Sequence, residues 1–170
     1  MQTLHYVVFL AAFITLSPAQ AYDVQINVNG NIINTTCELD TASANLKVPM
    51  GDQPVSSLNT VVGATSPEIP FSIKLLNCSE AATGVNVAFS GTASGDASLL
   101  KIDDGGATGI GIEILDEDNN PIPINVASKN YPLIPSTNNT LNFFARYKTE
   151  SLPVTAGDAN ASGTFILTYL

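Results

Sequence analysis

From about residue 22 onward, apolar and polar positions alternate with a period of two, the signature of strands that present one face to a core. Val24, Ile26, Val28, Gly30 and Ile32 share one parity, and Asp23, Gln25, Asn27, Asn29 and Asn31 the other. The same alternation returns at Phe71, Ile73 and Leu75, at Val85, Val87 and Phe89, and at Ile110, Ile112 and Ile114. It continues through Ile122, Ile124 and Val126, through Leu141, Phe143, Ala145 and Tyr147, and through Phe165, Leu167 and Tyr169. Leu46, Val48 and Met50 alternate briefly before Pro49 to Pro54 break the run, and Tyr131 to Pro135 is a Pro-bounded edge segment. The one helical signal is a turn carrying Val55, Leu58 and Val62 near one face, closed by Gly63 and Pro67. Short strands separated by Gly/Ser/Asn/Asp turns, with no long 3.6-residue period, no internal repeat and no linker, predict a single all-β sandwich.

The two ends of the pattern stand apart. Residues 162–170 form the last strand, with Thr164, Ile166 and Thr168 opposite Phe165, Leu167 and Tyr169. A final strand lying beside the core with nothing after it leaves an open side on which another chain can pair. The first strand, 24–32, has two readings. It is either an ordinary first strand or a detachable one that docks in a neighbour. Gly30 leans toward the second, because Gly weakens a strand interior and marks close approach by another group.

Residues 1–21 carry an apolar run at 7–16 and end in Ala19-Gln20-Ala21, the small-x-small pattern of a cleaved export signal. The run is too short to span a bilayer about 30 Å thick. It departs from the signal pattern in having no Lys or Arg before the apolar run. Cleavage before Tyr22 leaves about 150 residues, the length of one domain. The net charge is −9, which disfavours nucleic acid and anionic lipid. Charged residues make up only 12% of the chain, so part of the surface is expected to lie against other subunits. Cys37 and Cys78 are the two cysteines, and in an exported chain they are expected to pair. A metal site on the two thiolates is the competing reading, weakened by the absence of CxxC and of any His after His5.

Catalytic chemistry finds no foothold. Without His in the exported chain, a Ser-His-Asp or Cys-His nucleophile cannot be built within it. The paired acids Asp103/Asp104 and Asp116/Asp118 fall at turns, and the acidic run 116–120 has Pro121 where a calcium loop needs Gly. Gly105-Gly106 and Gly109-x-Gly111 lack the strand-to-helix setting of a phosphate loop. No cofactor is expected, and the chain reads as a structural or binding module, not an enzyme.

Taken together, the chain resembles subunits of chaperone–usher fimbriae, the type 1 pilin family. The resemblance rests on the aromatic penultimate residue Tyr169, on Gly157 fourteen positions from the end, on the segment 71–78 leading into Cys78, and on 143–147. It covers essentially all of 22–170, and residues 22–33 look most like a minor, adaptor-type subunit, with a major rod subunit as the alternative. It implies an immunoglobulin-like sandwich lacking its C-terminal strand, spanning 36–170, with an N-terminal donor-strand extension at 22–35. Strand addition of this kind is a recurring mode of peptide recognition, and donor-strand complementation of pilins by their chaperone is one of its standard examples. The resemblance further implies that Val24, Ile26, Val28, Gly30 and Ile32 are donor positions. Gly157, Phe165, Leu167 and Tyr169 would belong to the strand that pairs with the chaperone and borders the acceptor groove. The implied partners are a periplasmic pilus chaperone, an outer-membrane usher and neighbouring pilin subunits, with export to the periplasm and then to a cell-surface fimbria. A reading from another class is a self-complete secreted β-sandwich that binds a sugar or small ligand.

Overall fold

In the computed structural model, residues 36–170 are described; the expected signal 1–21 and the first strand 22–35, with Val24, Ile26, Val28, Gly30 and Ile32, lie outside the described residues. The elements are β1 (Glu38–Leu39), α1 (Thr41–Ala44), α2 (Val55–Leu58), β2 (Ile69–Leu76), β3 (Gly84–Ser90), β4 (Leu100–Lys101), β5 (Ile110–Asp116), β6 (Ala127–Pro132), β7 (Asn139–Thr149) and β8 (Thr164–Tyr169). They form a five-stranded sheet in the order β1-β2-β7-β5-β4 and a three-stranded sheet in the order β6-β3-β8. Every strand pair is antiparallel.

The period-two rows become the two inner faces. Ile73, Leu75, Ile112, Ile114, Leu141, Phe143, Ala145 and Tyr147 from the larger sheet meet Val85, Val87 and Phe89 from the smaller. Phe143 lies at the centre, stacked on Phe71 with ring centroids 5.5 Å apart and met edge-on by Phe89 at 5.1 Å and Tyr131 at 5.5 Å. Offset and edge-to-face pairs of this kind add about 0.5–1.5 kcal/mol each beyond the area they bury.

β5 is buried on both faces. Gly111 sits where a Cβ would fall 2.8 Å from that of Leu99. Glu113, only 2% exposed, is held by Arg146 at 2.7 Å and Lys148 at 2.7 Å, with Glu68 on the far side of Arg146 at 2.8 Å. Arg146 is the cross-strand partner of Glu113, so the sheet register itself supplies the counter-charge a buried carboxylate requires.

Prolines account for the main departure from the sequence pattern. Ile122 and Ile124 are buried, but 121–126 is not a strand. Pro121 and Pro123 have no N–H to donate to a ladder. Asn125 turns the chain with φ 65°, and β6 starts only at Ala127. The acidic run is a turn: Asn119 takes φ 62°, and the Asp116 carboxylate accepts from the N–H groups of Asp118 (2.9 Å) and Asn120 (2.8 Å). Burial opposes ionisation of Asp116, yet the Asn120 and Asp118 donors and Lys129 hold its pKa below the usual value.

The pairings also fix what lies at each end. Cys37–Cys78 are bonded, and the turn 133–138, the start of β3 and the end of β8 gather at that disulfide end. At the opposite end lie Gly63 against the last residue of β7, Gly109 against Glu150 and Ser151, and the start of β8 against the end of β3.

Between these ends runs 155–161, which crosses from one sheet to the other alongside 103–108. The Ala107 N–H donates to Asp158 (2.7 Å) and the Asp103 N–H to Asn160 (2.8 Å). Gly157 belongs to this crossing and precedes β8, within the stretch that the sequence reads as a loop. The reason is contact: a Cβ on Gly157 would lie 2.7 Å from the Ala107 nitrogen and 2.8 Å from the Gly106 carbonyl carbon.

Gly157→Val therefore meets backbone that cannot swing aside, and is expected to cost about 1–3 kcal/mol as an overpacked site, read as a lower melting temperature. An unchanged melting temperature contradicts the close approach. Replacing both Cys37 and Cys78 by Ser opens a loop closed over 41 residues and is expected to cost about 3–5 kcal/mol in the chain-entropy model, read as a lower urea midpoint.

Candidate functional site

A sheet edge presents a row of unpaired N–H and C=O groups, and proteins blunt such edges by shortening, bulging or Pro and Lys. Among the described residues the two sheets have four edge strands: β1, β4, β6 and β8. β1 and β4 are two residues long. β6 ends in Pro132, carries Lys129, and pairs through an irregularity between Asn86 and Ala88. β8 has none of these devices. It pairs in unbroken register with β3 from Ser90↔Thr164 to Val85↔Tyr169, and no described strand borders its other side.

The core is also open beside it. A groove of about 1020 Å³ has Phe71, Ile114 and Tyr147 in its floor, Val48 and Met50 on one bank, and Phe165 on the other. Leu46, Val48 and Met50 form no strand, since Pro49 and the φ 67° turn at Gly51 interrupt them, yet all three are half-buried and line the groove. Sequence reasoning saw their alternation but gave it no role. The charged residues in the lining, Asp52 and Asp158, are both exposed, so the floor is apolar.

Phe165, Leu167 and Tyr169 fall on one face of β8, half-buried against the core, with Thr164, Ile166 and Thr168 outward. Phe165 reaches into the groove; Leu167 and Tyr169 do not line it. Tyr169 instead ends beside the disulfide, its hydroxyl donating to the Cys37 carbonyl at 3.5 Å. The Tyr147 hydroxyl donates to the Ala159 carbonyl at 2.9 Å and so fixes the bank formed by 155–161 to the floor. Burial pushes both hydroxyls up from their ordinary pKa, which keeps them protonated as donors. Gly157 lines the groove from that bank.

Among the described residues no cluster of His, Cys, Asp and Glu could hold a metal ion. The arrangement offers a backbone edge for hydrogen bonding beside a trough with an apolar floor. Main-chain groups along an edge and an apolar floor beside it are the two features that strand addition uses in general. No helix among the described residues is long and apolar enough to cross a membrane.

The chain matches the sequence profile of the family described as Fimbrial protein over residues 26–170. It is 36% identical over 159 residues to the S-fimbrial protein subunit SfaG of Escherichia coli O6:K15:H31, covering 92% of this chain and 89% of that one. Among solved structures it is similar to the Burkholderia pseudomallei antigen and type I fimbria protein, at 38% identity and TM-score 0.63, over 81% of this chain and 91% of that one. It is likewise similar to the P pilus rod subunit PapA, at 25% identity and TM-score 0.69, over 79% of this chain and 99% of that one. The two-sheet sandwich is the immunoglobulin-like fold of these pilus subunits, and the family is structural, not enzymatic. The chain is a member of the fimbrial protein family, a pilus subunit built as an all-β sandwich with one internal disulfide.

Proposed function

We propose that this subunit assembles into a cell-surface fimbria by strand exchange: the groove beside β8 accepts the N-terminal extension of a neighbour, and its own residues 22–35 fill the groove of another. The observation that carries this reading is that, among the described residues, the one unblunted sheet edge coincides with the opening into the core. A sandwich with such an opening lacks a strand in one sheet, and residues 24–32 carry the alternation that fits it. Val24, Ile26, Val28, Gly30 and Ile32 are the inward row, and Phe165 with the Gly157 bank receives it. Before assembly, the same groove calls for a temporary strand from a periplasmic chaperone, with export through an outer-membrane usher. An open edge beside exposed core otherwise invites aggregation.

Residues 22–33 favour a minor, adaptor-type subunit. The likeness to a rod subunit favours the alternative, in which copies of this chain follow one another. The self-complete ligand-binding sandwich is disfavoured by the open edge of β8.

Full burial of Val24, Ile26, Val28 and Ile32 corresponds to about 6–12 kcal/mol gross, before the cost of ordering the strand. A synthetic peptide covering 22–34 is therefore expected to bind the subunit groove and raise its melting temperature by mass action. Asp at Ile26 and Val28 abolishes the shift, because charges would be buried without partners. Asp at Asn27 and Asn29, on the outward row, costs far less. Equal binding by the two doubly substituted peptides contradicts the assignment.

A further inference from the structure

The large apolar side chains that remain exposed are not scattered over the sandwich. Among the described residues there are seven: Val61, Val62, Val126, Ile134, Leu152, Ile166 and Leu170, each between 47% and 66% exposed. Ile166 lies on the outer face of β8. The other six sit at the two ends. Val61, Val62 and Leu152 flank Gly63 and Thr149 where β7 finishes, and Val126 follows Asn125, whose N–H donates to Phe89 at the end of β3. These four belong to the end where β8 begins. Ile134, in the turn bonded to Cys78 and Thr137, and Leu170, whose N–H donates to Gly84, belong to the disulfide end.

We propose that these two apolar ends are a head-to-tail contact between the bodies of successive copies: the disulfide end of one copy seats Ile134 against Val61, Val62 and Leu152 of the copy that holds its strand. The inference rests on the strand-exchange reading and on copies of this chain following one another. Three observations carry it.

The first is direction. Every pair in both sheets is antiparallel, so a strand added to β8 in the same pattern also runs antiparallel to it. Its C-terminal part, at Ile32, then lies beside the start of β8, at the Val61 end and not at the disulfide end.

The second is reach. Cys37 lies five positions after Ile32, a stretch that spans at most about 17 Å fully extended. Cys37 is bonded to Cys78 and is therefore fixed at the disulfide end of its own body. The incoming body is held with that end toward the Val61 end of its acceptor.

The third is chemistry. The two surfaces brought together are the ones on which exposed large apolar side chains concentrate, while the flanks carry Ile166 alone among the described residues. Two different patches on one chain that fit each other make a heterologous contact, which propagates as an open fibre and does not close into a dimer. The low charged fraction, 12%, is consistent with surface reserved for such a contact.

The test uses the full chain, exported and recovered as oligomers. Val62→Cys and Ile134→Cys are introduced singly and together, both at exposed positions, and the oligomers are treated with a short bis-maleimide. The doubly substituted chain is expected to give a ladder of cross-linked species. Its cross-linked fraction should exceed that of either single variant by on the order of a hundredfold, because strand exchange holds the two thiols at an effective concentration far above that of free chains. In parallel, binding of the 22–34 peptide is measured by its effect on melting temperature. Oligomers without a ladder, in a protein that still binds the peptide, overturn the end-to-end contact and leave strand exchange standing. An equal ladder from Val62→Cys alone overturns it as well, since like ends then meet. Failure of peptide binding overturns the groove reading, and with it the direction and reach from which the contact is argued. Recovery of monomer alone overturns both.

Discussion

The backbone edge of β8 is the constraint on which the rest of the structure depends. A strand that borders the core must satisfy hydrogen-bonding groups on both sides and cover apolar side chains beneath it. Among the described residues β8 does the first on one side only, through six paired residues with β3. The apolar trough beside it is lined by Phe71 and Phe89, both members of the central aromatic cluster, and by Tyr147. Stability of the sandwich and occupancy of the groove are thus one problem. In the proposed strand exchange, whatever completes the edge also finishes the core.

The remaining features shape the groove. Gly157 lets 155–161 lie against Gly106 and Ala107, and the Tyr147 hydroxyl ties the same bank to the floor. The disulfide fixes the beginning of the domain to the end of β2, and Tyr169 closes on it from the last strand. Glu113 and Glu68 with Arg146 and Lys148 cover the opposite face of β5 with matched charge and so pin the register of β5 against β7. A rigid, preorganised groove lowers the ordering cost of receiving a strand, because less of the binding free energy is spent on the acceptor.

Much of this was legible in the sequence because period two is a direct record of burial. Ile73, Leu75, Val85, Val87, Phe143 and Tyr147 alternate in the chain and face one core in the structure. The cysteine pairing followed from the wish of two thiols in an exported chain to oxidise. Two kinds of fact were hidden. Ile122 and Ile124 kept the apolar rhythm of a strand while Pro121 and Pro123 removed its donors, so burial survived and the strand did not. Gly157 could be placed near the last strand by position, but its packing against Gly106 depends on a contact across 51 positions of sequence, which no local pattern encodes. The bank formed by Leu46, Val48 and Met50 was visible as an alternation without a destination, because a groove is a property of two separated segments.

The central claim is that the free side of β8 is unpaired until a strand enters. Amide hydrogen exchange across Thr164 to Tyr169, with and without added 22–34 peptide on a subunit lacking 22–35, tests it most directly. The account predicts that alternate amides, those bonded to β3, are protected from the start, that the intervening amides exchange rapidly, and that the peptide slows the intervening set. Uniform protection of all six amides before the peptide is added, or protection appearing elsewhere while β8 is unchanged, would contradict it.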